Sequence, residues 1–279
     1  MSLRPLAALF LLAAAPSALA GIVMEMRMGS EKERPSRMFI DGSHLRIEQE
    51  GGDGKPGALM IFDATTRTMT QVDAEERTYF QVTADDLRKM ASEGKAKARQ
   101  SLAQARAQLE GMPPEQRKQV EAALAQAEAQ VAQPAARKPA RRLQLRFEKT
   151  GKSGSAAGHA CDWYRQFDGD EAEGEGCFTP LARLGLKVDD FKVFQALVDA
   201  LDPDGAGRGG TQLDFAKVLA QAPGFPVIAA ETEDGKRVET MRVVRIARES
   251  IPASTFAPPA GYRRVSTPGT GPRGAGAED

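Results

Sequence analysis

Histidine, cysteine and tryptophan are scarce in this chain. Histidine occurs only at positions 44 and 159, cysteine only at 161 and 177, and tryptophan once. Neither His44 nor His159 stands in a serine or cysteine nucleophile motif, and no sequence rule pairs two carboxylates as acid and base, so nothing points to an enzyme. Net charge is also missing. Among 279 residues, 38 basic side chains balance 38 acidic ones, which gives no global field for nucleic acid. No apolar run after residue 20 is long enough for a membrane helix. Cofactor fingerprints fail as well. Gly205-Ala-Gly207-Arg-Gly-Gly210 matches a dinucleotide motif by letter, but Asp-Pro-Asp rather than a strand precedes it. Gly151-Lys152-Ser153 has the tail of a phosphate loop, with Arg146 where that loop needs glycine. Asp202-Pro-Asp204 begins like a calcium loop, yet Leu213 occupies the place of the bidentate glutamate. No cofactor is expected.

What is present begins with an export signal. Arg4 supplies a positive start, Leu6 to Ala15 an apolar core too short to span a bilayer, and Ala18-Leu19-Ala20 a small-residue cleavage site. Residues 1–20 are therefore read as a signal peptide cut after Ala20. The new first residue is Gly21, not cysteine, so a lipid anchor there is not expected. The expected compartment is the periplasm, where disulfides persist.

The mature chain opens in short alternating segments. Gly21 to Met28, Arg37 to Ile40, Leu45 to Glu48, Ala58 to Phe62, Arg67 to Val72 and Arg77 to Val82 recur about every ten residues, the rhythm of an antiparallel meander. Asp41-Gly42 marks a hairpin turn. At Thr83 the period changes. Thr83 reads as a helix cap, and small or apolar residues recur at 87, 91, 94, 98, 102, 105 and 109. Gly111-Met-Pro-Pro114 breaks the helix, and a second follows with Val120, Leu124, Ala127 and Val131 on one stripe. Residues 84–132 thus predict a helical hairpin inserted between strands. From Ala84 to Arg142 there are twelve Lys or Arg against seven Asp or Glu. That surplus suits a solvated face, an anionic membrane surface or an acidic envelope protein.

Strand signals return at Leu143, Leu145 and Phe147. A Gly/Ser loop, 151–158, is expected next, then a hairpin spanning Cys161 to Cys177. A three-residue loop at Asp168–Asp170 sets Phe167 opposite Glu171, and the same register sets Cys161 opposite Cys177 on one face, as a cross-strand disulfide requires. Thr179-Pro180 reads as a cap and first residue of a helical turn. Val188, Phe191, Phe194, Val198 and Leu201 are spaced for an amphipathic helix, and Leu213 to Gln221 for another. Pro226 to Thr232 and Lys236 to Ala247 form a last hairpin on Asp234-Gly235, pairing Thr232 with Arg237 and Val227 with Arg242. The stretch Ile251 to Tyr262 is extended, and 266–279, rich in Gly, Pro and Thr, is expected to be disordered.

Met24, Met26 and Met28 fall on one face of the first strand. Soft thioethers suit Cu(I). Methionine also recurs at 38, 60, 69 and 241, which fits a packed core or an adaptable apolar ligand surface.

Several of these features occur together: Ile40-Asp41-Gly42, Leu45-Arg46-Ile47, Lys149-Thr150-Gly151, Ala157-Gly158-His159-Ala160-Cys161-Asp162-Trp163-Tyr164, and Ile251-Pro252 leading to Phe256-Ala-Pro-Pro-Ala-Gly-Tyr262. In these the chain resembles an uncharacterised family of exported bacterial proteins carried as a domain of unknown function. In outline it is similar to the periplasmic lipoprotein carrier and receptor. That resemblance implies an incomplete β-barrel whose concave apolar face holds acyl chains under helices. Residues 188–201 and 211–221 would then form the lid. Met24, Met26, Met28, Phe39 and Met60 would line the groove, with Phe191 and Phe194 facing them from the helices.

The expectation is an α+β domain over 21–265, a large curved antiparallel sheet with an inserted helical hairpin. Its expected role is non-enzymatic binding of lipid, acyl chain or lipoprotein. The alternatives are an interaction module using 84–132 and Cu(I) binding through Met24, Met26 and Met28.

Overall fold

A computed structural model describes residues 20–29, 34–51, 57–111, 113–132, 141–142, 144–201, 211–212, 215–233 and 236–267. The predicted signal core, the Gly-x-Gly-x-x-Gly match, the Asp234-Gly235 turn and nearly all of the predicted disordered tail lie outside these residues. The architecture is α+β. Twelve strands form one sheet, antiparallel in all but one pairing and not closed on itself.

The first half is the predicted meander. Strands β1 (Gly21–Met28), β2 (Arg34–Asp41), β3 (His44–Gln49), β4 (Ala58–Asp63), β5 (Thr68–Asp73) and β6 (Thr78–Thr83) pair in chain order. Alternation sends Ile22, Met24, Met26, Ile40, Leu45 and Phe62 into one buried cluster, and Leu59, Ile61 and Val72 into a second on the other face. Two turns are built alike. Asp63 and Asp73 each accept backbone N–H bonds from the turn they open, and Arg67 and Arg77 close these turns at φ 53° and 50°. Burial pushes the Asp63 carboxyl up, but hydrogen bonds from Thr66 and the Thr65 and Thr66 amides, with His44 nearby, outweigh it and hold the group low.

Thr83 ends β6 and caps α1 (Ala84–Gln108). Its hydroxyl accepts from the Asp86 amide, and the Asp86 carboxylate accepts in return from the Thr83 N–H at 2.9 Å, a reciprocal cap. Those bonds hold the Asp86 carboxyl below its ordinary range. The chain turns at residues 109–111 and returns as α2 (Pro114–Ala132). On α1 Leu87, Ala98, Leu102 and Ala105 are less exposed than their neighbours, and Leu109 is buried; on α2 the same holds for Val120, Leu124 and Ala127. These positions are shielded where α1 and α2 pack on each other, whereas Gly94, also expected in the seam, is exposed.

β7 (Arg141–Arg142) pairs in parallel with β11 (Thr211–Gln212) as a separate small ladder. The main sheet then continues through β8 (Leu145–Ala156), β9 (His159–Asp168) and β10 (Glu171–Thr179). Residues 151–156, expected as loop, belong to β8, and only Ala157-Gly158 turns, both at positive φ. A loop composition is tolerated because Gly154 lies against the disulfide. A Cβ there would stand 3.1 Å from Trp163 Nε1 and 3.2 Å from Cys177 Sγ.

Cys161 and Cys177 are bonded, with Cα atoms 5.4 Å apart, but not in the expected register. The turn has two residues, Gly169-Asp170, so Asp168 pairs with Glu171. A bulge at Glu173 shifts the ladder once more and sets Cys177 opposite Trp163. The bridge is diagonal. It survives the error because both shifts together move the pairing by two residues, which restores the face.

After Thr179 a 3-10 turn spans Leu181–Leu184. Pro180, not Thr179, holds its cap position, and the Thr179 hydroxyl donates to the Ala160 carbonyl instead. A second 3-10 turn, Val188–Phe191, leads into α3 (Lys192–Leu201). Three residues per turn here advance the phase, so Val193 and Ala200 are the buried residues of α3 rather than Val198 and Leu201. α4 (Phe215–Gln221) follows, then β12 (Phe225–Glu233) and β13 (Lys236–Glu249). Thr232 does pair with Arg237, but a bulge between Ala229 and Ala230 sets Arg242 opposite Ile228, not Val227. β13 pairs with β1, so the sheet order is β14-β6-β5-β4-β3-β2-β1-β13-β12-β10-β9-β8. The stretch after β13 crosses the second buried cluster through Phe256 and Tyr262, then adds β14 (Arg263–Arg264) in parallel to β6.

Candidate functional site

An apolar cavity of about 350 Å³ lies between the Met24 face of the sheet and the helices α3 and α4. The sheet contributes Met24, Met26 and Met38 from β1 and β2, Leu145 and Phe147 from β8, Gln166 and Phe178 from β9 and β10, and Phe225 and Pro226 from β12. Phe191, Phe194, Val218, Leu219 and Ala222 close it from the helical side. Its size falls at the small end of ligand pockets.

The walls follow from strand alternation. Met24 and Met38 are direct cross-strand partners, so their side chains share a face. Phe147 pairs with Gln166, and Phe178 lies on the same side of β10 as Gly174 and Gly176. Those glycines leave the wall hollow. A Cβ on Gly176 would come within 2.6 Å of the Phe178 ring and 3.0 Å of Gln166 Nε2. Aromatic rings frame the space: Phe147 and Tyr164 meet Phe178 edge-on at 5.5 and 5.8 Å, and Phe191 stacks on Phe225 at 5.4 Å. The disulfide faces away from this space. Cys161 and Trp163 alternate with Asp162, Tyr164 and Gln166 on β9, so the staple braces the back of the wall whose front lines the cavity.

Of the seven candidate lining residues, Met24, Met26, Phe191 and Phe194 come together here. Met28 is packed beside the same cluster but lies beyond the cavity. Met60 shares the face, paired with Ile47 two strands away from β2, and also stands outside the lining. Phe39 is misplaced. It pairs with Val23 and so projects from the opposite side of the sheet to Met24 and Met38, the consequence of a one-residue step along a period-two strand. Met38 carried a signal in its methionine neighbours. The α4 residues fall in the segment 211–221 expected as part of the lid; Gln166, Phe178 and Phe225 carried no signal, because their convergence depends on long-range strand order.

Two other hollows are more polar. A cleft of about 440 Å³ at the start of β1 contains Asp41, Asp189, Asp190, Lys187 and Arg248, with Arg248 donating to the Gly185 carbonyl at 2.7 Å and also engaging Asp190. A groove between the insert helices is lined by Arg106, Leu109, Arg117, Glu121, Leu124 and Ala125. Among the described residues no three His, Cys, Asp or Glu side chains gather as a metal site, and no helix is long and apolar enough to cross a membrane.

The geometry defines a class: an open, mostly antiparallel α+β sheet with an apolar cavity under short helices. Residues 108–262, more than half of the chain, match the domain of unknown function DUF4412, and the chain belongs to that family. It is similar in structure to an uncharacterized conserved protein from Thermus thermophilus, with a TM-score of 0.41 and 9% identity over 89% of this chain and 91% of that one. No curated protein matches.

Proposed function

We propose that this is a non-enzymatic, exported binding protein that holds an acyl chain or similar apolar ligand between the concave face of a curved sheet and its covering helices. The observation that supports this reading most is the cavity of about 350 Å³, lined by methionine and aromatic side chains rather than filled by them. Methionine offers a flexible, polarizable wall that adapts to chains of differing shape. Export after cleavage at Ala20, into the periplasm, accords with the Cys161–Cys177 bridge, since such bonds persist in oxidising compartments. In this reading α3 and α4 act as the cover that the carrier-like outline implies.

Native mass spectrometry of the full chain purified from its own cell envelope tests the proposal. The expected result is an apolar adduct released by organic solvent. Absence of any adduct, together with failure to bind a fluorescent apolar probe, would overturn it. The alternative Cu(I) role through Met24, Met26 and Met28 predicts a change in a competitive Cu(I) titration when all three are replaced. Met28 standing outside the cavity gives that role less support than the lining gives the apolar one.

A further inference from the structure

Among the described residues the cavity has one polar side chain, Gln166. It stands on β9 opposite Phe147, with its amide nitrogen beside the hollow left by Gly176. Its side-chain amide makes no hydrogen bond among the described residues. Glutamine carries two N–H donors and a carbonyl acceptor; this amide is half-exposed, so water serves it in the empty cavity and a ligand that displaces that water must supply the hydrogen bond in its place. Among the described residues the cavity wall contains no charged side chain. The basic side chains closest along β8 are already engaged. Lys149 donates to the Asp162 carboxylate at 2.7 Å, and Arg146 lies over the Phe167 ring at 4.0 Å on the other side of the strand.

We infer that the cavity selects a single acyl chain joined through a neutral ester or amide carbonyl, with Gln166 donating to that carbonyl. This deepens the apolar-ligand reading and rests on it. Size argues for one chain. At about 30 Å³ for a water-sized group, the cavity holds roughly a dozen methylene-sized groups. Charge argues for a neutral junction. A carboxylate placed beside Gln166 would lose hydration with no cation to replace it, and burying an unpaired charge is far costlier than burying a hydrogen-bonded carbonyl. An alkyl chain with no carbonyl would leave the Gln166 donors unmet.

Competition against a bound fluorescent apolar probe tests this with the oxidised full chain at pH 7.5. The competitors are 1-monododecanoylglycerol, N-dodecanoylglycinamide, dodecanoate and 1-dodecylglycerol ether. The ester or the amide is expected to bind at least tenfold more tightly than dodecanoate and about tenfold more tightly than the ether. The tighter of the two distinguishes a glycerolipid source from an acylated amine. Gln166→Met keeps the length and apolar body of the side chain. It should abolish the preference over the ether while leaving the fluorescent probe bound. Equal affinity for ester, amide, ether and dodecanoate, or a Gln166→Met chain with unchanged preference, overturns the inference and leaves the apolar-ligand reading standing. Failure of the wild-type chain to bind the probe or any competitor overturns both.

Discussion

Arg67 and Arg77 close two successive turns with the backbone in the left-handed region, which β-carbons disfavour. Their surroundings differ. Arg77 has its guanidinium 5.7 Å from the Tyr262 ring, so its side chain ties the meander to the C-terminal stretch. Arg67 has no such ring contact among the described residues. Arg67→Gly is therefore expected to stabilise the fold by about 0.5–1 kcal/mol, relief of strain exceeding the extra freedom of the unfolded chain. Arg77→Gly should gain less or lose. Paired thermal melts check this, and an equal shift for both would remove the role given to Tyr262. Residues of this kind mark where sequence reading stops. Asp63 and Asp73 announce turns, but neither arginine announces positive φ. Phe39 shows the same limit in another form, since its alternating neighbours locate a strand and the choice of face depends on which side the helices cover.

At the scale of elements, periodicity was the most legible signal. The six meander strands, the inserted helical hairpin and the α3 region stand where apolar spacing places them. Registers were less legible, because each bulge moves a ladder by one residue and bulges have no strong local composition. The disulfide hairpin shows why a wrong register can still yield a right bond. The staple also supplies a prediction. It closes a loop of sixteen residues' separation, which is worth on the order of 3 kcal/mol in the entropy model. Reduction, or Cys161→Ser with Cys177→Ser, should lower the melting temperature by roughly 6–12 °C for a chain of this size. Because both cysteines face away from the cavity, affinity for an apolar probe well below the transition should stay within about twofold. A large affinity loss with the sheet intact, followed by circular dichroism, would mean that the wall cannot hold its shape without the bridge.

At the scale of the whole molecule, two regions compete for the functional role: the cavity and the helical insert. Among the described residues of the insert only Ala84 and Leu109 are buried, while the cavity is framed by β1, β2, β8, β9, β10, β12 and both short helices. Deleting 84–132 and joining β6 to β7 with a short Gly/Ser linker is expected to leave the strand signal and probe binding in place. Loss of binding in a folded deletion would move the function to the insert. No local pattern could reveal the cavity, because its walls run from Met24 to Pro226 along the chain and meet only through strand order.

That order places β1, the first strand, between β2 and β13, with Gly21 paired to Glu249. During synthesis the meander can assemble as soon as residues 21–83 emerge, yet one edge of β1 must wait for the last hairpin. Pairings so distant in sequence form slowly, and an uncovered edge invites foreign strands. A growing chain therefore carries its methionine face unshielded through most of its production, and a product truncated before β13 has no vessel to fill. The need for a chaperone thus lasts from the emergence of β1 until β13 arrives to cover it.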